Sequence, residues 1–543
     1  MKGRLTDEER SNLIALAGSL VPKKNIHSLC VFDPRVAGYE GEISDRDLVI
    51  ITKDFVEKVS GMLEPGPIKP SPTIIDEAVL VNAARHPALD NKVIAKFLNI
   101  YEPLINEEFL LRVETAYKKW IMAEKLIEIQ ADYGDFSSTL ILPYEYFLFD
   151  KLHKMALEDP DLIESYGCIY SGGQRKGNLE FALRGFRDAA GSLASQGIIT
   201  NTDGSIRILK GRKQRKNALR MLYEIHPRTT GGVVKNGLHS FASMAGVEYK
   251  SKPLPKLTIK EKVQSTIELD RPNKLLRLDE GVIFDDPSKS IEEIALISGF
   301  SGTYAHEEEK KGGLINSSTQ LKVSSDGREA KFILKHFPEL KNAKWVLLNL
   351  WAFAAKRFNM TPLSRLSREV EAVKRLHQIG IKTHVITGVV LDERTLVSEY
   401  AEGVPLDESV KDIASGKSTD TSSIERYAQV MAKMHKAGLV YGDTKPANAL
   451  VGKDGIYLID LEQAVDGGDR SWDLAEFLYY SAKIAKQGDG MKLVAESFLA
   501  AYRDEGNGPV VAKARSIRYM APFLPFLTPK KIKVVRKALA KYS

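Results

Sequence analysis

Apolar and polar positions along this chain follow two periods, one near 3.6 and one of two residues, and changes of period mark changes of structure. The apolar run LVIIT at 48–52, entered through ISDRD, predicts a strand, and helical spacing over 54–63 predicts a helix after it. The Pro-rich stretch EPGPIKPSP at 64–72 predicts a linker. From 73 to 165 the spacing is mostly helical, most clearly in FLLRVETAYKKWIMAEKLIEI at 109–129. LEFALRGFRDAAGSLASQGII predicts a helix ended by Gly197, then a turn at Asp203 and Gly204 and a short strand. KSKPLPK at 250–256 reads as a connector. From 277 onward strands come first, with candidates EIALIS at 293–298, KFILKHF at 331–337 and RTLVSEY at 394–400, and helices follow.

The chain is 543 residues long, too many for one core, so several domains are expected. Its 43% hydrophobic and 27% charged content excludes a disordered, collagenous or disulfide-stapled protein. Two scattered cysteines, Cys30 and Cys168, and the lack of a long apolar run point to a cytoplasmic protein with no membrane partner. Charge adds one asymmetry. Nine of the 78 basic residues lie in 511–543, which hold none of the 71 acidic ones, so the net +7 is a near-neutral body with a basic end. We expect 511–543 to be a basic C-terminal tail. With KGRKQRK at 210–216 it makes nucleic acid a candidate partner, although both clusters read equally as solvated faces.

The segment LVYGDTKPANALVGKDGIYLIDLEQA, 439–464, carries the strongest chemical signal. Phosphoryl transfer from ATP needs magnesium between phosphates, and hard cations take oxygen ligands. Asn448 lies five residues after Asp443, and Asp460 ends an apolar strand twelve residues further on, with KDG at 453–455 turning the hairpin. One loop thus offers a carboxylate to a hydroxyl and an amide oxygen to metal, and the next strand adds a second carboxylate. The spacing is that of a kinase catalytic loop.

On these residues the C-terminal half resembles the protein-kinase-like superfamily, in particular its atypical branch of RIO kinases, KEOPS-complex kinases and lipopolysaccharide kinases. LIDLEQAV is similar to the RIO metal-binding segment, where Asp is followed three residues later by Gln. The resemblance covers roughly 290–500. It implies a two-lobed fold, ATP and Mg2+ as cofactors, Asp443 as catalytic base, and Asn448 and Asp460 as metal ligands. It further implies a strand lysine on the phosphates, Lys335 or, in a shifted register, Lys331. A helical glutamate should pair with that lysine, either Glu369 or Glu371, the register favouring Glu369. A phosphate loop is sought at Gly299 and Gly302, in ISGFSGTYA, and the hinge at Glu399 and Tyr400. Tyr441 stands where many members have His, and Leu461 and Glu462 replace Phe-Gly. Only twelve residues separate Asp460 from Asp473, which leaves no room for a long peptide-clamping segment. Asp473 is expected to cap a helix and act as scaffold.

At the N-terminus Asp45 and Asp47 alternate at the start of an apolar strand, so both face one side of it. This resembles the Ser-Asp-x-Asp-Leu strand of nucleotidyltransferases, without an identifiable third carboxylate. The same pair reads as a charged turn before a core strand.

The expectation is therefore an α+β, multidomain protein: a nucleotidyltransferase-like α/β region over 1–66 with a helical extension to 165, a winged-helix-like segment at 175–250, a protein-kinase-like domain at 277–510 and the basic tail. The expected activity is an ATP- and Mg-dependent atypical serine/threonine protein kinase acting on a protein or on itself. The alternatives are a small-molecule kinase and a nucleotide-binding scaffold that contacts nucleic acid.

Overall fold

A computed structural model describes residues 5–33, 35–38, 46–53, 70–87, 92–158, 161–170, 173–225, 269–284, 290–300, 305–311, 317–325, 327–338, 361–485, 488–504 and 508–543. The chain divides into two compact units, Met1–Arg277 and Leu278–Ser543. Among the described residues no helix is long and apolar enough to cross a membrane. The expected helix at 54–63, most of the linker, the connector 250–256, Asp45 and Gly302 lie outside the described residues.

The first unit opens with helix Asp7–Leu20, started by a capping box in which Thr6 and Glu9 bond each other's backbone N–H. Its Leu13 and Ala17 pack with Leu29, Val31, Leu48 and Ile50 of a four-stranded sheet. The strand order is Pro70–Asp76, Arg46–Thr52, Ile26–Phe32, Glu102–Ile105. LVIIT is a strand as expected. The end of the supposed linker is not a linker: Pro70 and Pro72 begin a strand parallel to Arg46–Thr52. Proline survives there because this strand is at the sheet edge, where a missing N–H breaks no ladder. Asp47 faces Ser71 across that pair and is ion-paired with Lys96.

The long helix Glu107–Tyr133 then packs on helix Arg175–Ser195. A buried cluster fastens them: Glu114 takes Lys118 at 2.6 Å and Arg184 at 3.1 Å, and the Tyr101 hydroxyl donates to it at 2.8 Å. Gly197, at φ 67°, ends the second helix. Strands Ile199–Thr202 and Ser205–Ile208 form the expected hairpin, and Leu142–Pro143 adds a third strand beside Ser205–Ile208. Helix Arg212–Ile225 carries most of the basic cluster, in which Arg215 pairs with Asp135.

The second unit is two-lobed. Its first lobe is a six-stranded sheet in the order Val282–Phe284, Ile386–Val390, Thr395–Glu399, Arg328–His336, Ser317–Ser325, Ala305–Lys311. Helix Pro362–Gln378 accompanies it. The second lobe is helical, with Ser422–Lys436, Arg470–Ile484 and Gly488–Asp504 as main helices.

Two expectations fail here. EIALIS is not a strand but the end of helix Ser290–Ile297, with Glu292 and Glu293 in its first turn. Nor is 511–543 a tail. It forms helices Gly508–Ala514, Ile517–Met520 and Pro529–Tyr542, whose Val511, Tyr519, Val535 and Leu539 are buried. The basic residues occupy the outer faces of amphipathic helices, and composition alone hid the inner ones. Between them Phe523 lies against Trp472, Tyr479 and Tyr480, with ring centroids 5.2–5.9 Å apart.

Candidate active site

Strand Arg328–His336 ends with Lys335 turned into the protein. Its Nζ is 2.5 Å from Glu369 Oε2 and 2.5 Å from Asp460 Oδ1. Glu462 is 3.7 Å away and is shared with Arg365 at 3.4 Å. Of the two candidate glutamates Glu369 is therefore the partner, and it is buried. Lys331 pairs instead with Glu329 on its own strand, at 3.2 Å.

Oxygens of Glu369, Asp460 and Glu462 gather within 4.8 Å of one another. Lys335 and Arg365 balance two of the three charges, so Lys335 is held protonated above its usual range by Asp460 and Glu369 despite burial. Burial pushes Glu369 up to about 7, only partly countered by Lys335. Burial also pushes Asp460 upward, but the charge and hydrogen bond of Lys335 more than offset it and hold that carboxyl below the usual carboxylate range. Asp460 is the most accessible of the three, at 35% side-chain exposure. It sits at φ 59°, a left-handed conformation that a side chain adopts at some cost.

The second lobe builds the loop opposite. Asn448 Nδ2 donates to the Asp443 carbonyl at 2.9 Å, which closes the loop and leaves the amide oxygen as its remaining polar atom. Asp443 is buried, with the Lys445 ammonium 2.9 Å from its carboxylate. Tyr441, in place of the family's His, donates its hydroxyl to the carbonyls of Asn448, at 2.6 Å, and Ile459. Asp473 accepts from the backbone N–H of Tyr441 at 2.7 Å and of Gly442 at 2.9 Å, and lies 3.0 Å from His435 Nε2. Asp473 is the scaffold residue expected, but the N-cap of its helix is Asp469.

Of the two glycines expected in a phosphate loop, Gly302 lies outside the described residues and Gly299 ends a helix. Gly299, at φ 79°, caps helix Ser290–Ile297: its N–H donates to Leu296 and that of Phe300 to Ala295, at 3.0 and 2.9 Å. Residues 312–316, between strands Ala305–Lys311 and Ser317–Ser325, lie outside the described residues. At the hinge, Glu399 N–H is taken by Val385 O and Tyr400 N–H by Lys331 O, so neither amide is open to a ligand. Sequence reasoning also missed Lys445, although a lysine two residues after a candidate base is a readable signal.

A strand-rich lobe that delivers Lys335, over a helical lobe that delivers Asp443, Asn448 and Asp460, is the fold of protein-kinase-like enzymes. Residues 353–478 match the family model described as the RIO domain. With the relatives that follow, this match makes the C-terminal half similar to the atypical RIO and KEOPS-kinase branch of that superfamily. The chain is similar, at 26% identity over 157 residues (28% of this chain, 74% of the relative), to a probable serine/threonine-protein kinase BUD32 homolog of Archaeoglobus fulgidus. It is 24% identical over 146 residues to the KEOPS complex subunit Bud32 of Pyrococcus abyssi, covering 26% of this chain and 66% of that one. A probable bifunctional tRNA threonylcarbamoyladenosine biosynthesis protein of Natronomonas pharaonis is 28% identical over 158 residues, 28% of this chain and 27% of that protein.

Proposed function

We propose that the C-terminal unit transfers the γ-phosphate of ATP to a hydroxyl as an atypical serine/threonine protein kinase. The observation that carries this is the Lys335 ammonium at 2.5 Å from both Glu369 and Asp460, with Asn448 tied to the Asp443 carbonyl. In this reading Lys335, oriented by Glu369, grips the phosphates. Asn448 and Asp460 fit magnesium, since both offer hard oxygens beside the phosphate site; the ion supplies charge neutralisation on the phosphates. Asp443 orients the acceptor hydroxyl and takes its proton. The hydroxyl oxygen bonds to the γ-phosphorus as the bond to the β-phosphate oxygen breaks, and ADP leaves with that electron pair. Lys445, held protonated by Asp443 against the effect of burial, stays beside the charge that develops there.

A second reading is ATP hydrolysis at the same site within an assembly; the relative named as a KEOPS complex subunit supports the assembly and not the hydrolysis. For the N-terminal unit we propose a nucleotidyltransferase-like sheet without catalysis, followed by a winged-helix-like segment. Asp47 is neutralised by Lys96, and the strand residues paired beside it, Pro70, Ser71 and Pro72, include no carboxylate. Nucleic-acid binding that weakens steeply with salt would support that second part.

The test is labelled ATP with magnesium, following protein-bound label and free phosphate for wild type and Asp460→Ala. Label on protein that needs Asp460 supports the kinase, free phosphate alone the hydrolase, and label on added sugars a small-molecule kinase. No turnover from either protein overturns both readings.

A further inference from the structure

One feature beside the candidate site has no part in the chemistry above. Phe523 anchors the C-terminal segment in its aromatic slot, and this leaves Leu524 at 45% and Phe526 at 55% exposure on either side of Pro525. The Lys483 ammonium lies over the Phe526 ring at 5.0 Å and over the Tyr480 ring at 5.6 Å. Tyr480 in turn carries Lys445 at 5.5 Å, and Lys445 is 2.9 Å from Asp443. Lys531 reaches the Lys483 carbonyl at 3.5 Å, which adds a third cation to Lys445 and Lys483. A basic and apolar rim therefore runs without a break from Asp443 to Phe526, and the segment that builds its outer part, 511–543, contains no Asp or Glu.

We infer that this rim docks the phosphoacceptor, and that the acceptor is a polypeptide with an acidic, apolar-containing segment near its hydroxyl. The inference rests on the phosphotransfer reading of Asp443. Charge complementarity selects an anionic partner, and exposed Leu524 and Phe526 beside the lysines select one that also brings an apolar side chain. A nucleic acid fits less well. Base stacking along a strand needs a series of open rings, and the exposed apolar side chains described on this rim are one ring, Phe526, and Leu524, which offers no stacking surface. No link in the chain from Asp443 to Phe526 exceeds 5.6 Å, so the path is covered by about six residues of extended polypeptide at ~3.3 Å each. The acidic segment therefore lies within about six residues of the accepting Ser or Thr.

The experiment uses the full chain, wild type and Lys483→Glu/Phe526→Ser. Three fluorescein-labelled probes are compared: a Ser-containing peptide followed by Asp, Glu and Leu, its Asn/Gln counterpart, and a single-stranded RNA of matching length. The acidic peptide is expected to bind wild type about tenfold tighter than the neutral one and to lose that advantage in the variant. Equal binding of the two peptides by wild type overturns the inference whether or not the variant folds. So does a folded variant that weakens RNA binding but not acidic-peptide binding. Phosphorylation by wild type separates this from the kinase reading. Selective binding without transfer of label sinks that reading alone, and equal phosphorylation of both peptides with equal affinity sinks the docking surface alone.

Discussion

The backbone N–H of Tyr441 donates to the Asp473 carboxylate at 2.7 Å, so a residue one turn into a helix sets the path of the loop that carries Asp443. Replacing Asp473 by Ala strands two buried N–H groups, those of Tyr441 and Gly442. We expect a loss of about 3 kcal/mol of stability and a fall in turnover larger than any fall in ATP affinity. Urea unfolding and ATP titration, run side by side, check this.

Lys335→Met removes the ammonium that Glu369 and Asp460 share. Three neighbouring carboxylates then repel one another, at an expected cost of about 3 kcal/mol, and ATP binding weakens by at least about tenfold. Glu369→Gln should be milder, because the amide oxygen still accepts from Lys335. Calorimetric ATP binding distinguishes the two variants.

His384 is buried, with Nε2 3.6 Å from Glu369 Oε1 and no hydrogen-bond partner. Burial, then the charges of Lys335 and His377, hold it down at about 3 instead of 6.5. The unfolded chain therefore takes up a proton that the folded one refuses. Stability from this group is present above pH 6.5 and is lost as pH falls from there toward about 3. The urea midpoint of wild type should drop more between pH 7 and pH 5 than that of His384→Gln; parallel slopes would refute the assignment.

Phe523→Ala empties an aromatic slot and should cost about 3 kcal/mol. Deleting 511–543 should expose the face of helix Arg470–Ile484 that it covers and leave the domain insoluble or open to protease. A fully stable truncated domain would mean that the segment is dispensable after all.

The candidate site was legible where its residues are close in sequence. Asp443, Asn448 and Asp460 fall on one loop and one hairpin, so their spacing, with Gly442 and the apolar strand before Asp460 as context, is readable locally. Lys335 and Glu369 are 34 positions apart, and strand alternation with the family register favoured each while leaving Lys331 and Glu371 open. Gly299 was misjudged because SIEEIALI suits a helix as well as a strand, and the Gly that ends a helix is indistinguishable in sequence from one that begins a phosphate loop. Pro70 and Pro72 suggested a linker because an edge strand tolerates residues that a central one rejects. The last 33 residues failed for another reason: their burial depends on partners such as Trp472 and Tyr479, far away in the chain.

The hydroxyl of Tyr441 has a mechanical consequence. By bonding the carbonyls of both Asn448 and Ile459 it staples the catalytic loop to the strand end that presents Asp460. Asn448 and Asp460, the two proposed magnesium ligands, are thereby tied to one another. Across from them Lys335 holds Asp460 at 2.5 Å, so in the proposed reaction bound ATP would compete with Asp460 for that ammonium.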